Sequence, residues 1–169
     1  MFERYIEKAR RVIFFARYEA SQFGSIYIDT EHLLLGLLRE DKPLAEALLQ
    51  SRSSLDSIRS AIEAHSPKRS GLSTSVDLPL SSETKRVLAY SAEEADRLHH
   101  RHIAPPHLLL GILREPKCFA ARLLHERHVT IDSARAYASQ DSSEPAAGPS
   151  GALFAILADR EKAGGIAIA

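Results

Sequence analysis

The sequence has no tryptophan, one methionine and one cysteine among 169 residues, and aromatic residues make up only 7% of it. A single cysteine excludes an internal disulfide and fits a reducing compartment. Cys118 stands in an apolar, helix-forming run with Phe119, Ala120 and Ala121. There a thiol is expected to pack as a small hydrophobe rather than react, because nothing nearby lowers its pKa. An excess of one charge is missing as well, since 22 Lys and Arg balance 22 Asp and Glu. No global field draws the chain onto nucleic acid or an anionic membrane, so neither is expected as a partner. Long apolar runs are absent, and the first eight residues are charged every few positions. Neither a signal peptide nor a membrane span is predicted, and a cytoplasmic location is expected.

Catalytic signatures are missing too. There is no G-x-x-x-x-G-K-[ST] loop to cradle phosphates, no G-x-S-x-G elbow and no Cys-His pairing pattern. The expectation is a non-enzymatic chain with no cofactor. The histidines His99, His100, His102 and His107 crowd one stretch, but their spacing matches no zinc pattern, which needs three or four convergent ligands. His125-Glu126-Arg127-His128 is one residue short of H-E-x-x-H, so its two imidazoles do not share a helix face. The adjacent carboxylates Glu93 and Glu94 read as solvated surface charge on a helix. Helix-turn-helix DNA binding is disfavoured because the candidate recognition helices are mostly leucine.

What is present is an internal repeat. The run His-Leu-Leu-Leu-Gly-Leu-Leu-Arg-Glu from His32 to Glu40 returns from His107 to Glu115 at an offset of 75, with Ile112 for Leu37 as the one difference in nine. The same offset carries Arg11-Val12 onto Arg86-Val87, Glu19-Ala20 onto Glu94-Ala95, Ile28 onto Ile103 and Leu48-Leu49 onto Leu123-Leu124. It becomes 76 further on, aligning Leu55-Asp56-Ser57 with Ile131-Asp132-Ser133. Loops absorb such one-residue changes. His32 and His107 recur at one position of the repeat, which points to shared packing or capping.

Each repeat reads as four helices. Ile6, Ala9, Ile13, Ala16, Ala20 and Phe23 fall at three- and four-residue steps, with Gly24 as a left-handed stop. Thr30 is predicted as the N-cap of a second, leucine-rich helix. Pro43 suits the first turn of a third, and Leu55, Ile58 and Ile62 mark a fourth. In the second copy Ser81 or Ser82 caps the first helix, Pro105-Pro106 opens the second, Pro116 starts the third and residues 131–139 form the last. The predicted fold is all-α: two tandem four-helix repeats packed about a pseudo-two-fold axis. About 60 residues make a marginal core, so each repeat needs the other. The expected divisions are repeat one at 1–65, an exposed polar linker at 66–80, repeat two at 81–139 and a flexible tail at 140–169, with a short helix over 153–161. Composition is that of an ordinary globular protein, 44% hydrophobic and 26% charged.

Met1-Phe2-Glu3-Arg4-Tyr5, Ala9-Arg10-Arg11-Val12, Glu19-Ala20 and the run from Thr30 to Glu40, with a second copy of the pattern, resemble the amino-terminal repeat domain of Clp-family unfoldases, nearest the ClpC type. The resemblance covers about residues 1 to 139. It implies a protein-binding module that receives substrates and adaptors for a Clp ATPase or protease. Without a phosphate-binding loop in the sequence, the expected role is adaptor, accessory subunit or decoy; the alternatives are a small-ligand sensor and the front of a longer Clp ATPase. The resemblance also implies that Thr30 and Glu31 contact phosphoarginine, a carboxylate meeting the guanidinium. A plain N-cap followed by an acidic first-turn residue explains the same pair. Pro105 and Pro106 replace it in the second copy, so that site is expected to be lost. Phe2 matches a position in the family's apolar partner-binding patch, and Leu80 stands where relatives often carry Phe.

Overall fold

A computed structural model describes residues 2–49, 53–66, 69–73 and 76–140. These form eight helices: α1 (Glu7–Phe23), α2 (Thr30–Glu40), α3 (Lys42–Leu49), α4 (Ser53–His65), α5 (Ser82–Arg97), α6 (Pro105–Leu113), α7 (Phe119–Glu126) and α8 (Ile131–Gln140). The first four and the last four repeat one plan. Most of the expected tail, 141–169, lies outside the described residues.

The apolar stripe of α1 buries Ala9, Val12, Ala16 and Ala20 against α2, whose Leu33, Leu34 and Leu37 are fully enclosed. Each such leucine contributes about 1.5–3 kcal/mol of apolar burial. The glycine inside the leucine run has a specific task. A Cβ on Gly36 would strike the backbone of Val12 and Ala16, and one on Gly111 would strike the Val87 carbonyl and Ser91. Only glycine lets the first two helices of each repeat approach this closely.

Both first helices end alike. Gly24 takes φ 69° and His99 takes φ 60°, each just past the last turn. Ser25 N–H then donates to Ala20 C=O, and His100 N–H donates to Ala95 C=O, which closes a left-handed cap in each repeat. Gly24 is therefore the stop that the sequence predicted. His128, at φ 62°, follows the end of α7 in the same way, and Val129 N–H donates to Leu124 C=O.

Two helix starts differ from expectation. Asp29, not Thr30, is the N-cap of α2, and Thr30 is the first helical residue. The third helix of repeat two starts at Phe119 rather than Pro116. The reason is chemical. In repeat one Asp41 Oδ1 accepts from Leu44 N–H, but proline stands at the matching position 116 and cannot do so. The cap moves two residues on, where the Cys118 sulfur accepts from Ala121 N–H. Ser81 caps α5 by accepting from Thr84 N–H.

The repeats are joined by exchanged arms. Ile28, in front of α2, pairs with Leu80, in front of α5, and Tyr5, in front of α1, pairs with Ile103, in front of α6, both in parallel register. Ile28 N–H donates to Pro79 C=O and Ser81 N–H to Ile28 C=O; symmetrically, Ile103 N–H donates to Arg4 C=O and Ile6 N–H to Ile103 C=O. Each repeat thus completes the other. The polar linker is pinned where it is described, with Arg69 N–H donating to Phe23 C=O and Leu72 N–H to Ser21 C=O.

Candidate functional site

Helix starts decide the site, because their first amide groups lack internal partners and attract negative charge. At the start of α2 the N-cap amide of Asp29 donates to His32 Nδ1 at 3.0 Å, and at the start of α6 the amide of Ala104 donates to His107 Nδ1 at 2.8 Å. This capping role is the shared one that the repeat position of the two histidines suggested. Accepting at Nδ1 leaves the proton of each neutral ring on Nε2. His107 Nε2–H then donates to His100 Nδ1 at 2.8 Å. His32 has no such neighbour: it is 2% exposed, and its Nε2 is buried without a hydrogen bond. Burial depresses its pKa to about 4, against a weaker opposing pull from Asp29 and Glu19, so the ring stays neutral.

The predicted contacts Thr30 and Glu31 lie deeper than an exposed cap would. Thr30 is buried, and its hydroxyl sits beside the Cys118 thiol of repeat two without a well-directed hydrogen bond. Burial raises the Cys118 pKa, which keeps the thiol protonated. Glu31 is 7% exposed and its carboxylate accepts from Ser66 Oγ at 3.3 Å. Burial raises its pKa, its own amide lowers it, and Asp29 raises it further; Ser66 and His65 pull the other way. His65 at the end of α4 stacks on Phe119 at the start of α7, with ring centroids 3.7 Å apart. Thr30 and Glu31 therefore lie at the seam of the two repeats, with Ser66 against Glu31 and Cys118 beside Thr30.

The second copy is closed by different chemistry. Pro105 and Pro106 are buried and line a cleft with Asp41, Pro43 and Tyr137 at the start of α6, the helix equivalent to α2. Proline there offers neither carboxylate nor amide donors. Leu80, half-buried, belongs to the arm that crosses in front of α2, next to Thr30 and Glu31. Phe2 is half-buried and stacks edge-on against Tyr5 at 4.9 Å, on the arm that crosses in front of α6. The four predicted residues thus belong to two symmetry-related crossings, three at one and Phe2 at the other.

Sequence reasoning missed the buried ion pairs. Glu94 is 0% exposed rather than solvated, and only its neighbour Glu93 is exposed. The Arg135 guanidinium grips Glu94 through two contacts of 2.8 and 3.2 Å, and Arg114 lies at 3.4 Å. Burial pushes this carboxyl up, but Arg135, with Arg97 and Arg114, holds it below the ordinary range. In repeat one Arg59 grips Glu19 in the same bidentate way, at 2.8 and 3.2 Å. The signal was in the sequence: Glu19 and Glu94 recur at one offset, and Arg59 and Arg135 at the other. Among the described residues, no group of three or more His, Cys, Asp or Glu could hold a metal ion. No helix of the described residues is long and apolar enough to cross a membrane.

Comparison with known proteins gives a consistent result. The model of a family described as the Clp repeat (R) N-terminal domain matches residues 4–127 and again 79–162. A Porphyra purpurea protein named ATP-dependent Clp protease ATP-binding subunit ClpA homolog is 40% identical over 147 residues, covering 86% of this chain and 18% of that protein. The chloroplastic chaperone protein ClpC1 of Oryza sativa subsp. japonica is 42% identical over 125 residues, 73% of this chain and 14% of its own length. The crystal structure of the N-terminal domain of ClpD from Arabidopsis thaliana superposes with a TM-score of 0.67 at 33% identity, covering 82% of this chain and 96% of that one. The chain therefore spans less than a fifth of the length of these curated relatives.

Proposed function

Because the chain belongs to the Clp repeat N-terminal domain family, we propose that it is a non-catalytic protein-binding module of a Clp chaperone and protease system. It captures substrates or adaptors for a Clp ATPase, acting as an adaptor, accessory subunit or decoy. The observation that carries this reading is the arm exchange. It ties the two repeats together, with Thr30, Glu31 and Leu80 at one crossing and Phe2 on the arm of the other, where a cleft opens beside Pro105 and Pro106. Concave seams between rigid elements are where binding is expected.

The test is reconstitution. The chain is mixed with a Clp ATPase and its protease, and degradation of an unfolded reporter is followed. An adaptor raises the rate and a decoy lowers it. A chain that neither binds the ATPase nor changes the rate is not part of such a system.

A second reading is supported by the place of Glu31 in the first turn of α2. A carboxylate beside an α-helix N-terminus matches a phosphorylated guanidinium, because the carboxylate takes the guanidinium and the amides take the phosphate. Calorimetry with phosphoarginine should then give one site per chain. Glu31→Ala should abolish it, and the absence of binding by the unaltered chain would remove this reading.

A further inference from the structure

The outer face of α1 in repeat one carries three aromatic residues where its counterpart carries one. Phe14 is 64% exposed and Tyr18 is 39% exposed, one turn apart, with Phe15 half-buried beside them at 5.5 Å from Phe14. In α5 the matching positions hold Ala89, Tyr90 and Glu93. Single exposed apolar residues are ordinary, but a contiguous aromatic cluster marks a binding surface.

Charge separates the two faces further. Arg114 in repeat two lies 4.4 Å above the Tyr90 ring and is neutralised by Glu93 at 2.7 Å. Arg39, its equivalent, lies 4.2 Å above Phe15 and 5.5 Å from the Tyr18 centroid. Tyr18 occupies the place of Glu93, and no described carboxylate pairs with Arg39, which is exposed. Arg39 also lines a groove of about 320 Å³ between α2, α3 and α4, floored by Leu35, Leu38, Ala45 and Leu55. Lys42, Glu46 and Asp56 also line it, and Arg59 there is committed to Glu19. Arg39 therefore joins an aromatic platform to an apolar groove and leaves a cation between them without a counter-charge.

We infer that this face of repeat one docks a protein segment that presents an acidic side chain to Arg39, flanked by aromatic or aliphatic residues for Phe14, Tyr18 and the groove. The inference rests on the protein-binding reading but uses a surface separate from the α2 start that carries Glu31. A partner carboxylate supplies to Arg39 what Glu93 supplies to Arg114. Desolvated Arg and Tyr side chains are the residue types that dominate such interfaces.

The experiment uses the whole chain and a fluorescein-labelled synthetic peptide of about a dozen residues, alternating Glu with Leu and Phe, read by fluorescence anisotropy; a dozen residues is about the reach of a helix-in-groove ligand. A control peptide carries Lys in place of Glu. Binding of the acidic peptide, weakened about tenfold or more by Tyr18→Glu and by Phe14→Ala, is expected; tenfold corresponds to the loss of one moderate contact. Tyr18→Glu gives Arg39 an internal partner while keeping an exposed, helix-compatible side chain. Equal binding of the Lys peptide, no binding of either peptide, or indifference to Tyr18→Glu overturns the inference. Loss on Glu31→Ala without loss on Tyr18→Glu also overturns it, and leaves the protein-binding reading standing through the α2 start. Sedimentation that shows self-association abolished by Phe14→Ala would mean that a second copy covers the face, against the inference.

Discussion

Glu19 and Glu94 occupy the same place on equivalent helices, yet Glu19 meets one guanidinium, from Arg59, while Glu94 is reached by Arg135, Arg114 and Arg97. His32 and His107 cap equivalent helix starts, yet only His107 has a partner for its second ring nitrogen. Arg39 lies open over aromatic rings and Arg114 is closed by a carboxylate. Twice repeat two satisfies a polar group that repeat one leaves exposed or unpaired, and at the buried glutamates it gathers more guanidinium groups around the charge. In a duplicated fold, one copy can carry the scaffold while the other keeps groups that pair with something else. Stability and binding should therefore divide between the repeats.

The glycine crossings are the exception, because both repeats need them equally. Gly36→Ala and Gly111→Ala should each lose about 3 kcal/mol or more, since the new Cβ meets backbone that cannot rotate away. Urea denaturation measures this. Ser91→Ala should not rescue Gly111→Ala, because the Val87 carbonyl remains in the way. A mild effect at either glycine would mean that the helix pairs tolerate separation.

Next in size is the ion-pair contrast. Glu94→Gln should cost about 3 kcal/mol, because it strands guanidinium groups around a fully enclosed amide, whereas Glu19→Gln should cost about half as much with one half-exposed arginine affected. Equal losses would erase the asymmetry on which the division of labour rests.

How far this was legible in the sequence follows from what kind of pattern each feature leaves. The helices and the doubling were readable because Leu33, Leu34 and Leu37 recur as Leu108, Leu109 and Ile112, and core positions repeat with helical period. The arm exchange was not, because it rests on single residues, Ile28 with Leu80 and Tyr5 with Ile103, too short to show any period. Glu94 looked like surface charge beside Glu93, and its main partner Arg135 stands 41 positions on, too far along the chain to be read locally. Thr30 and Glu31 looked like an open cap because Ser66 and Cys118, which enclose them, arrive from a linker and from the other repeat. Tertiary neighbours override local signals at the seam, where the candidate site lies.

His32 offers a pH test of the open repeat. In the unfolded chain it takes up a proton near 6.5, but in the fold only near 4. Between those values the unfolded state binds more protons, so stability falls as pH falls from about 6.5, and the penalty levels off below about 4. At pH 5 it amounts to about 2 kcal/mol relative to pH 8. His32→Gln keeps an acceptor for the Asp29 amide and removes the titration, so the variant's stability curve should be flatter by about one proton across this window. Parallel curves for the two proteins would show that the imidazole does not resist protonation in the fold.

The smallest effect concerns the arms. Arg4 clamps its arm: one guanidinium nitrogen lies 2.8 Å from Asp96 Oδ1, and the side chain also donates to the Arg101 and His100 carbonyls. The matching residue on the other arm is Pro79, which has no side-chain donor. Exposed ion pairs contribute only about 0.5–1 kcal/mol, so Arg4→Ala should leave the fold intact. It should instead loosen one crossing. Hydrogen exchange at the Ile6 and Ile103 amides should quicken by about two- to fivefold, the rate equivalent of that energy, while exchange at Ile28 and Ser81 stays unchanged. Equal quickening at all four amides would show that the two arms open together, so that the crossings, unlike the sites they frame, are one cooperative unit.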